Sequence, residues 1–313
     1  MRCIGCLTVL LPCTLAGCAT AYRAGAPEGA IDVIAHRGAS AYAPENTLTA
    51  FAKAAEMEAD WFELDCTLTK DGEILVLHDA SVDRTTNGEG DAATLDLAAL
   101  QSLDAGSWFG PAFAGEHLPT LGESLDLAKR RIGVYVEIKN SDNDRELMQS
   151  LRALTAGHAE MTSATGMALG ALLDRSDSRN IVLTRKCIEE IRARNMGRQV
   201  VIQSFSPVVC LVARLEAPEL RTEYLGAYDA KHPEAWDDFL AWGHFIGVEG
   251  FNVAHTAMTQ DHLDGIHRRG KTVAVWTVDD PEEMRRYAEW GVDAIITNRP
   301  DVCLQTLAHS GAR

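Results

Sequence analysis

Trp61-Phe62-Glu63-Leu64-Asp65-Cys66-Thr67-Leu68 and Glu73-Ile74-Leu75-Val76-Leu77-His78, joined through Lys70-Asp71-Gly72, form the stretch on which the reading of this chain turns. Both runs are rich in β-forming residues, and Asp-Gly between two such runs is a strong hairpin signal. A turn centred on Lys70 and Asp71 sets Glu63 across from His78 and Asp65 across from Val76. Glu63 and Asp65 stand two apart on a strand, so both side chains leave the same face. Two carboxylates converging there repel each other unless a cation lies between them.

Working outward, Ile31-Asp32-Val33-Ile34-Ala35 reads as a short buried strand that stops at His36-Arg37-Gly38. Glu45-Asn46-Thr47 then offers capping side chains to a helix whose apolar face is Leu48, Phe51, Ala54, Ala55 and Met57. Downstream of the hairpin, Ser81 to Pro119 is rich in Gly, Asp, Thr and Asn and reads as an ordered excursion over the mouth of the domain. A further strand, Gly133 to Lys139, brings Glu137 and Lys139 onto one face near its end. Helices are expected near Arg145 to Leu154 and Asn180 to Asn195, with 156–179 a loop or helical insertion.

From Gln199 onward strands and helices alternate, with strands expected at Val200 to Phe205, Arg221 to Leu225, Phe245 to Val248, Thr272 to Val278 and Ala294 to Thr297. Strand and helix alternating over this length is the pattern of an α/β (β/α)8 TIM barrel, here irregular because of the hairpin, with an inserted segment, 141–198, after strand 3 of the barrel. The doubly wound α/β fold is the second choice, but no Gly-rich phosphate loop follows the first strand. The active site of a barrel lies at the carboxyl ends of its strands, where most of these polar groups fall.

The first residues are of another kind. Arg2 precedes an apolar run from Ile4 to Leu15 that is too short to span a bilayer, and Leu15-Ala16-Gly17-Cys18 follows. This ending resembles the lipobox of bacterial lipoproteins, which implies a signal peptide over 1–17, lipidation of Cys18 and a membrane anchor. Residues 18–29 are then a tether, 30–313 the folded domain, and the location the cell envelope. Ala19 in place of Asp after the cysteine favours the outer membrane, facing the periplasm. Cys66, Cys187, Cys210 and Cys303 remain in the mature chain and read as buried apolar residues or unassigned bridges. The net charge of -16 argues against a nucleic-acid partner, and an anionic substrate would need local positive charge to approach.

In order along the chain, His36-Arg37-Gly38, Pro44-Glu45-Asn46-Thr47, Glu63-Leu64-Asp65, Lys70-Asp71-Gly72, His78-Asp79, Glu137-Ile138-Lys139, Gln203-Ser204-Phe205 and Trp276-Thr277-Val278 resemble the glycerophosphodiester phosphodiesterases. The resemblance implies that Glu63, Asp65 and Glu137 hold one divalent metal ion, Ca2+ or Mg2+, and that His36 and His78 are general base and general acid. It also implies that Arg37 and Lys139 contact the phosphate of a small glycerophosphodiester and that Trp276 lines the pocket. Asn298 stands where relatives often have Asp and is assigned no role, while Glu45 and Asn46 are read as helix capping.

The chemistry is consistent with that list. Phosphodiester cleavage needs charge neutralisation and proton delivery, three hard oxygen donors suit Ca2+ or Mg2+ rather than zinc, and imidazoles exchange protons near neutral pH. A neighbouring Glu63 would keep His78 protonated, which makes His36 the base; the reverse assignment, and attack by a substrate hydroxyl to give a cyclic phosphate, use the same residues. Two other functions compete: a phospholipase D- or C-like enzyme acting on lyso- or intact lipids, and a non-catalytic lipoprotein that binds a ligand.

Overall fold

In the computed structural model the described residues are Gly25, 29–140, 142 and 144–313. The signal segment, Cys18 and most of the 18–29 tether lie outside them.

The chain begins with β1 (Asp32–Ala35), α1 (Leu48–Glu56), β2 (Trp61–Leu68) and β3 (Ile74–Val76). The excursion that follows carries α2 (Leu97–Gln101) and leads to α3 (Leu121–Ala128) and β4 (Gly133–Ile138). Three helices come next, α4 (Arg145–Thr155), α5 (Ser163–Leu173) and α6 (Arg179–Ala193). Regular alternation then runs through β5 (Val200–Ser204), α7 (Pro207–Glu216), β6 (Arg221–Gly226), α8 (Pro233–Ile246) and β7 (Gly250–Ala254). It ends with α9 (Gln260–His267), β8 (Thr272–Trp276), α10 (Pro281–Trp290), β9 (Ala294–Thr297) and α11 (Pro300–Ser310).

Parallel pairing of β1 with both β2 and β9 closes the sheet into a ring of β1, β2, β4, β5, β6, β7, β8 and β9. This is a (β/α)8 barrel. β3 pairs antiparallel with β2 alone and is the irregularity that the hairpin introduces. Alternation along β2 explains its role: Phe62, Leu64 and Cys66 join the core between sheet and helices, whereas Trp61 joins the cluster inside the barrel with Ile34, Tyr135 and Ile296. Glu63 and Asp65 share the inward face with Trp61. Phe51 stacks on Phe62 with ring centroids 4.3 Å apart, which seats α1 against β2 and contributes about 1 kcal/mol beyond its buried area.

Two expectations need correction. The hairpin pairs Cys66 with Val76 and Thr67 with Leu75, so the register is one residue from the expected one, and Leu77 rather than Val76 lies opposite Asp65, bonding to its carbonyl through the Leu77 N–H. The cause is the loop: Thr69 N–H bonds to the Glu73 carbonyl, and Gly72 takes a left-handed φ of +81°, which makes a three-residue turn with a bulge instead of a two-residue turn. The strand expected at Phe245 to Val248 is the end of α8, because Phe245 and Ile246 pack from a helical face and Gly247, at φ +80°, terminates the helix; the strand is β7 instead. The stretch without a period at 156–179, read as a loop or helical insertion, is the latter: it contains α5, which is apolar on most sides and packs on α4 and α7.

The excursion has a small core of its own, in which Leu75, Leu77, Val82, Ala92, Leu100, Ala105 and Leu118 pack together. Cys66, Cys187, Cys210 and Cys303 are free and buried, the first of the two readings of them.

Candidate active site

The site gathers at the carboxyl ends of the first three staves. β2 and β4 run parallel with Asp65 opposite Glu137 and Glu63 opposite Tyr135, so the three carboxylates fall on neighbouring inward positions. An oxygen from each of Glu63, Asp65 and Glu137 lies within 4.8 Å of the other two, and all three residues are buried.

Each carboxylate feels its surroundings differently. Burial, then the charges of Asp65 and Glu137, push Glu63 well above the usual glutamate range. Burial and Asp65 push Glu137 up to about 7. Burial also acts against Asp65, but Lys139 and Arg37 outweigh it and hold Asp65 below its usual value. Lys139 Nζ is 2.8 Å from Glu137 and 3.3 Å from Asp65, and Arg37 Nε is 3.4 Å from Asp65. With Glu45 and Asp79 added, five carboxylates face three cations, Arg37, Lys139 and Arg84. If all are ionised, two negative charges are left over, the charge of one divalent cation. Hard oxygen donors, close convergence and this surplus all fit such an ion.

Arg37 is placed by a tight reversal after β1. Arg37 at φ +55° and Gly38 at φ +82° both take left-handed conformations, and a Cβ on Gly38 would meet the Ala50 carbonyl carbon at 2.6 Å. The reversal lets the Arg37 N–H donate to Glu63 Oε2 at 2.9 Å while its guanidinium donates to Glu45 at 2.8 Å.

The two histidines are each held at Nδ1, by different partners. His36 Nδ1 lies 2.7 Å from Asn298 Oδ1, which can only accept, so Nδ1 bears the proton and Nε2 keeps its lone pair. Burial, together with the Arg37 charge, lowers the His36 pKa to about 4. His78 Nδ1 lies 2.6 Å from Asp79 Oδ1. Asp79 itself is lowered to about 2, chiefly by its hydrogen bond from Arg84 and then by the one from His78. The expected neighbour of His78, Glu63, instead accepts the Arg37 N–H, next to the parallel pairing of Ala35 with Phe62. Asp65 interacts electrostatically with both imidazoles.

Five residues join this site that sequence reasoning left out of it: Glu45, Asn46, Asp79, Arg84 and Asn298. Thr47 is the helix cap, accepting from Ala50 N–H, while Asn46 beside it donates to Asp65 Oδ2 at 2.8 Å and Glu45 receives both arginines. Asn298 presents its carbonyl to His36 because its amide donates to Asp279 Oδ2 at 2.6 Å. Asp79 stood in a quoted motif without a role. Trp276, at the end of β8, donates from its indole to the Asn252 carbonyl at 3.0 Å and meets Phe205 edge-on at 5.6 Å. Phe205 is 43% exposed.

A model of the glycerophosphoryl diester phosphodiesterase family matches residues 36–302. The chain belongs to that family. Among the relatives of this phosphodiesterase are glycerophosphodiester phosphodiesterases of Caldanaerobacter subterraneus subsp. tengcongensis, 34% identical with 89% of this chain and 98% of the relative covered, and of Bacillus subtilis, 31% identical with 86% and 84% covered. Its fold is similar to that of a glycerophosphodiester phosphodiesterase from Agrobacterium tumefaciens, with a TM-score of 0.64 at 27% identity over 88% of this chain and 99% of the other. It is also similar to an Oleispira antarctica phosphodiesterase solved with the product sn-glycerol-3-phosphate, with a TM-score of 0.70 at 23% identity over 89% and 97% of the two chains. The matched span contains the barrel motifs quoted from the sequence, from His36-Arg37-Gly38 to Trp276-Thr277-Val278.

Proposed function

We propose that this phosphodiesterase hydrolyses water-soluble glycerophosphodiesters to sn-glycerol 3-phosphate and an alcohol, with one Ca2+ or Mg2+ held by Glu63, Asp65 and Glu137. The observation that carries the reading is the unequal treatment of the two imidazoles beside one buried carboxylate triad. His36, neutral at physiological pH and with Nε2 free, takes the proton of the attacking oxygen. His78, tied to a carboxylate, gives a proton to the departing alkoxide as its bond to phosphorus breaks. Arg37 and Lys139, half-buried among the carboxylates, orient the phosphate and offset its charge. The bound cation supplies charge neutralisation for the phosphoryl oxygens. Trp276 and Phe205 give the mouth an aromatic edge on which the glycerol or alcohol carbons rest.

Release of glycerol 3-phosphate from glycerophosphocholine tests this. Full activity is expected with a divalent cation and none after chelation, and lysophosphatidylcholine is expected to be a poor substrate. Undiminished activity without metal, or a preference for the lyso-lipid, would overturn the reading.

We infer further that Cys18 carries lipid and tethers the enzyme in the cell envelope, at the outer membrane. The support is the Leu15-Ala16-Gly17-Cys18 pattern and the small, polar residues that follow. Labelled palmitate is expected to enter the wild-type protein and not the Cys18→Ser variant, which is expected in the soluble fraction; equal labelling of both would refute the anchor.

A further inference from the structure

The Asp79 carboxylate that holds His78 has a second oxygen, and Arg84 Nε donates to it at 2.6 Å. The other edge of the same guanidinium forks onto Glu45, with Nη1 to Oε2 at 2.9 Å and Nη2 to Oε1 at 2.8 Å. Glu45 Oε1 in turn accepts Arg37 Nη1 at 2.8 Å. A continuous path therefore runs from His78 through Asp79, Arg84 and Glu45 to Arg37. It joins the end of the hairpin to the reversal after β1.

Arg84 spends its donors on carboxylates, which leaves it poorly placed to take a substrate. Its backbone is firmly set nonetheless: Val82 is fully buried, and Ser81 bridges Asp91 across the start of the excursion. We propose that Arg84 is a positioning residue for proton donation. It fixes Asp79 against the Glu45–Arg37 arm, so that the His78 imidazole keeps one orientation toward the oxygen leaving the phosphate. This gives the excursion a task in the reaction. As a stabilising contact the pair is minor, since ion pairs this exposed are screened by water.

The proposal rests on His78 as proton donor, and substrate choice separates the two ideas. Choline leaves as a poor alkoxide that needs a proton, whereas p-nitrophenolate departs without one. In the full-length, metal-loaded enzyme, Arg84→Met is expected to lower kcat on glycerophosphocholine about 30-fold and on the p-nitrophenyl ester of glycerol 3-phosphate less than about 3-fold, with KM little changed. Arg84→Lys is expected to fall between, because an ammonium cannot meet both carboxylates with a planar fork. Melting temperature is expected to shift by no more than about 2 °C in either variant. Equal losses on both substrates, a rise in KM at constant kcat, or no loss would overturn the proposal. His78→Ala is the control: if it is selective for glycerophosphocholine and Arg84→Met is not, this proposal alone fails. If His78→Ala loses both substrates equally, the donor reading fails and takes the proposal with it.

Discussion

Glu63→Gln is expected to abolish turnover while making the metal-free protein more stable. The two effects have one origin. Glu63 is buried against Asp65 and Glu137, and its pKa is driven up by burial first and by those charges second. Its folded value lies above its unfolded one, so the folded chain binds more protons. The contribution of Glu63 to the stability of the metal-free protein is therefore fully present below the unfolded glutamate value and is lost as pH rises through the folded value. Glu137, raised to about 7, adds to the loss over the same window, whereas Asp65, lowered, contributes stability that disappears only in acid. Glutamine keeps the acceptor for the Arg37 N–H and removes the charge. Between pH 5 and 7 the metal-free wild type is expected to lose roughly 5 °C of melting temperature, and Glu63→Gln distinctly less. Saturating divalent cation is expected to raise the wild-type melting temperature by roughly 5–10 °C and the variant's far less, by mass action on the folded state. Activity is expected to fall about a thousandfold or more, as charge at the phosphoryl group goes unmatched. Calorimetry with and without metal checks this, and a variant still stabilised like the wild type would remove Glu63 from the cation site.

The barrel was legible because alternation needs only local pattern. Phe62, Leu64 and Cys66 facing out while Glu63 and Asp65 face in is a period of two, visible without coordinates. Pairing Asp65 with Glu137 was not, since it depends on the register between β2 and β4. The hairpin failed by one residue because Gly72 adopts a left-handed conformation and enlarges the turn, and the turn decides the register of everything after it. Asn46 was read as a cap because it sits beside the true cap, Thr47, and its reach to Asp65 exists only once α1 docks on β2. Arg84 and Glu45 are distant in sequence, and each alone resembles an ordinary surface charge. A sharper signal was available for Asp79, which stands next to a histidine in a short polar run after a strand.

The second large effect concerns His36. Its replacement by Ala is expected to lower kcat by about a thousandfold or more on glycerophosphocholine and on the p-nitrophenyl ester alike. A better leaving group cannot replace a base that activates the nucleophile, so the selectivity expected for His78→Ala is absent here. The base depends on a short relay. Asp279 Oδ2 accepts the Asn298 amide, and Asp279 Oδ1 accepts the Asn298 backbone N–H and the Thr297 hydroxyl, so the Asn298 carbonyl is turned toward His36 and Ser40. That orientation forces the proton onto Nδ1 and leaves the lone pair on Nε2, the atom that acts as base in the proposed reaction. Asp279→Ala would free the amide to turn its NH2 group toward His36, where two donors would meet, and the imidazole would be driven to the wrong tautomer. A loss of about 10- to 100-fold on both substrates is expected from Asp279→Ala, with KM nearly constant, because the defect lies in proton removal rather than binding. Steady-state kinetics on the two substrates decides the matter: a His36→Ala variant that spares the p-nitrophenyl ester would make His36 the donor and reverse the assignment of the two imidazoles.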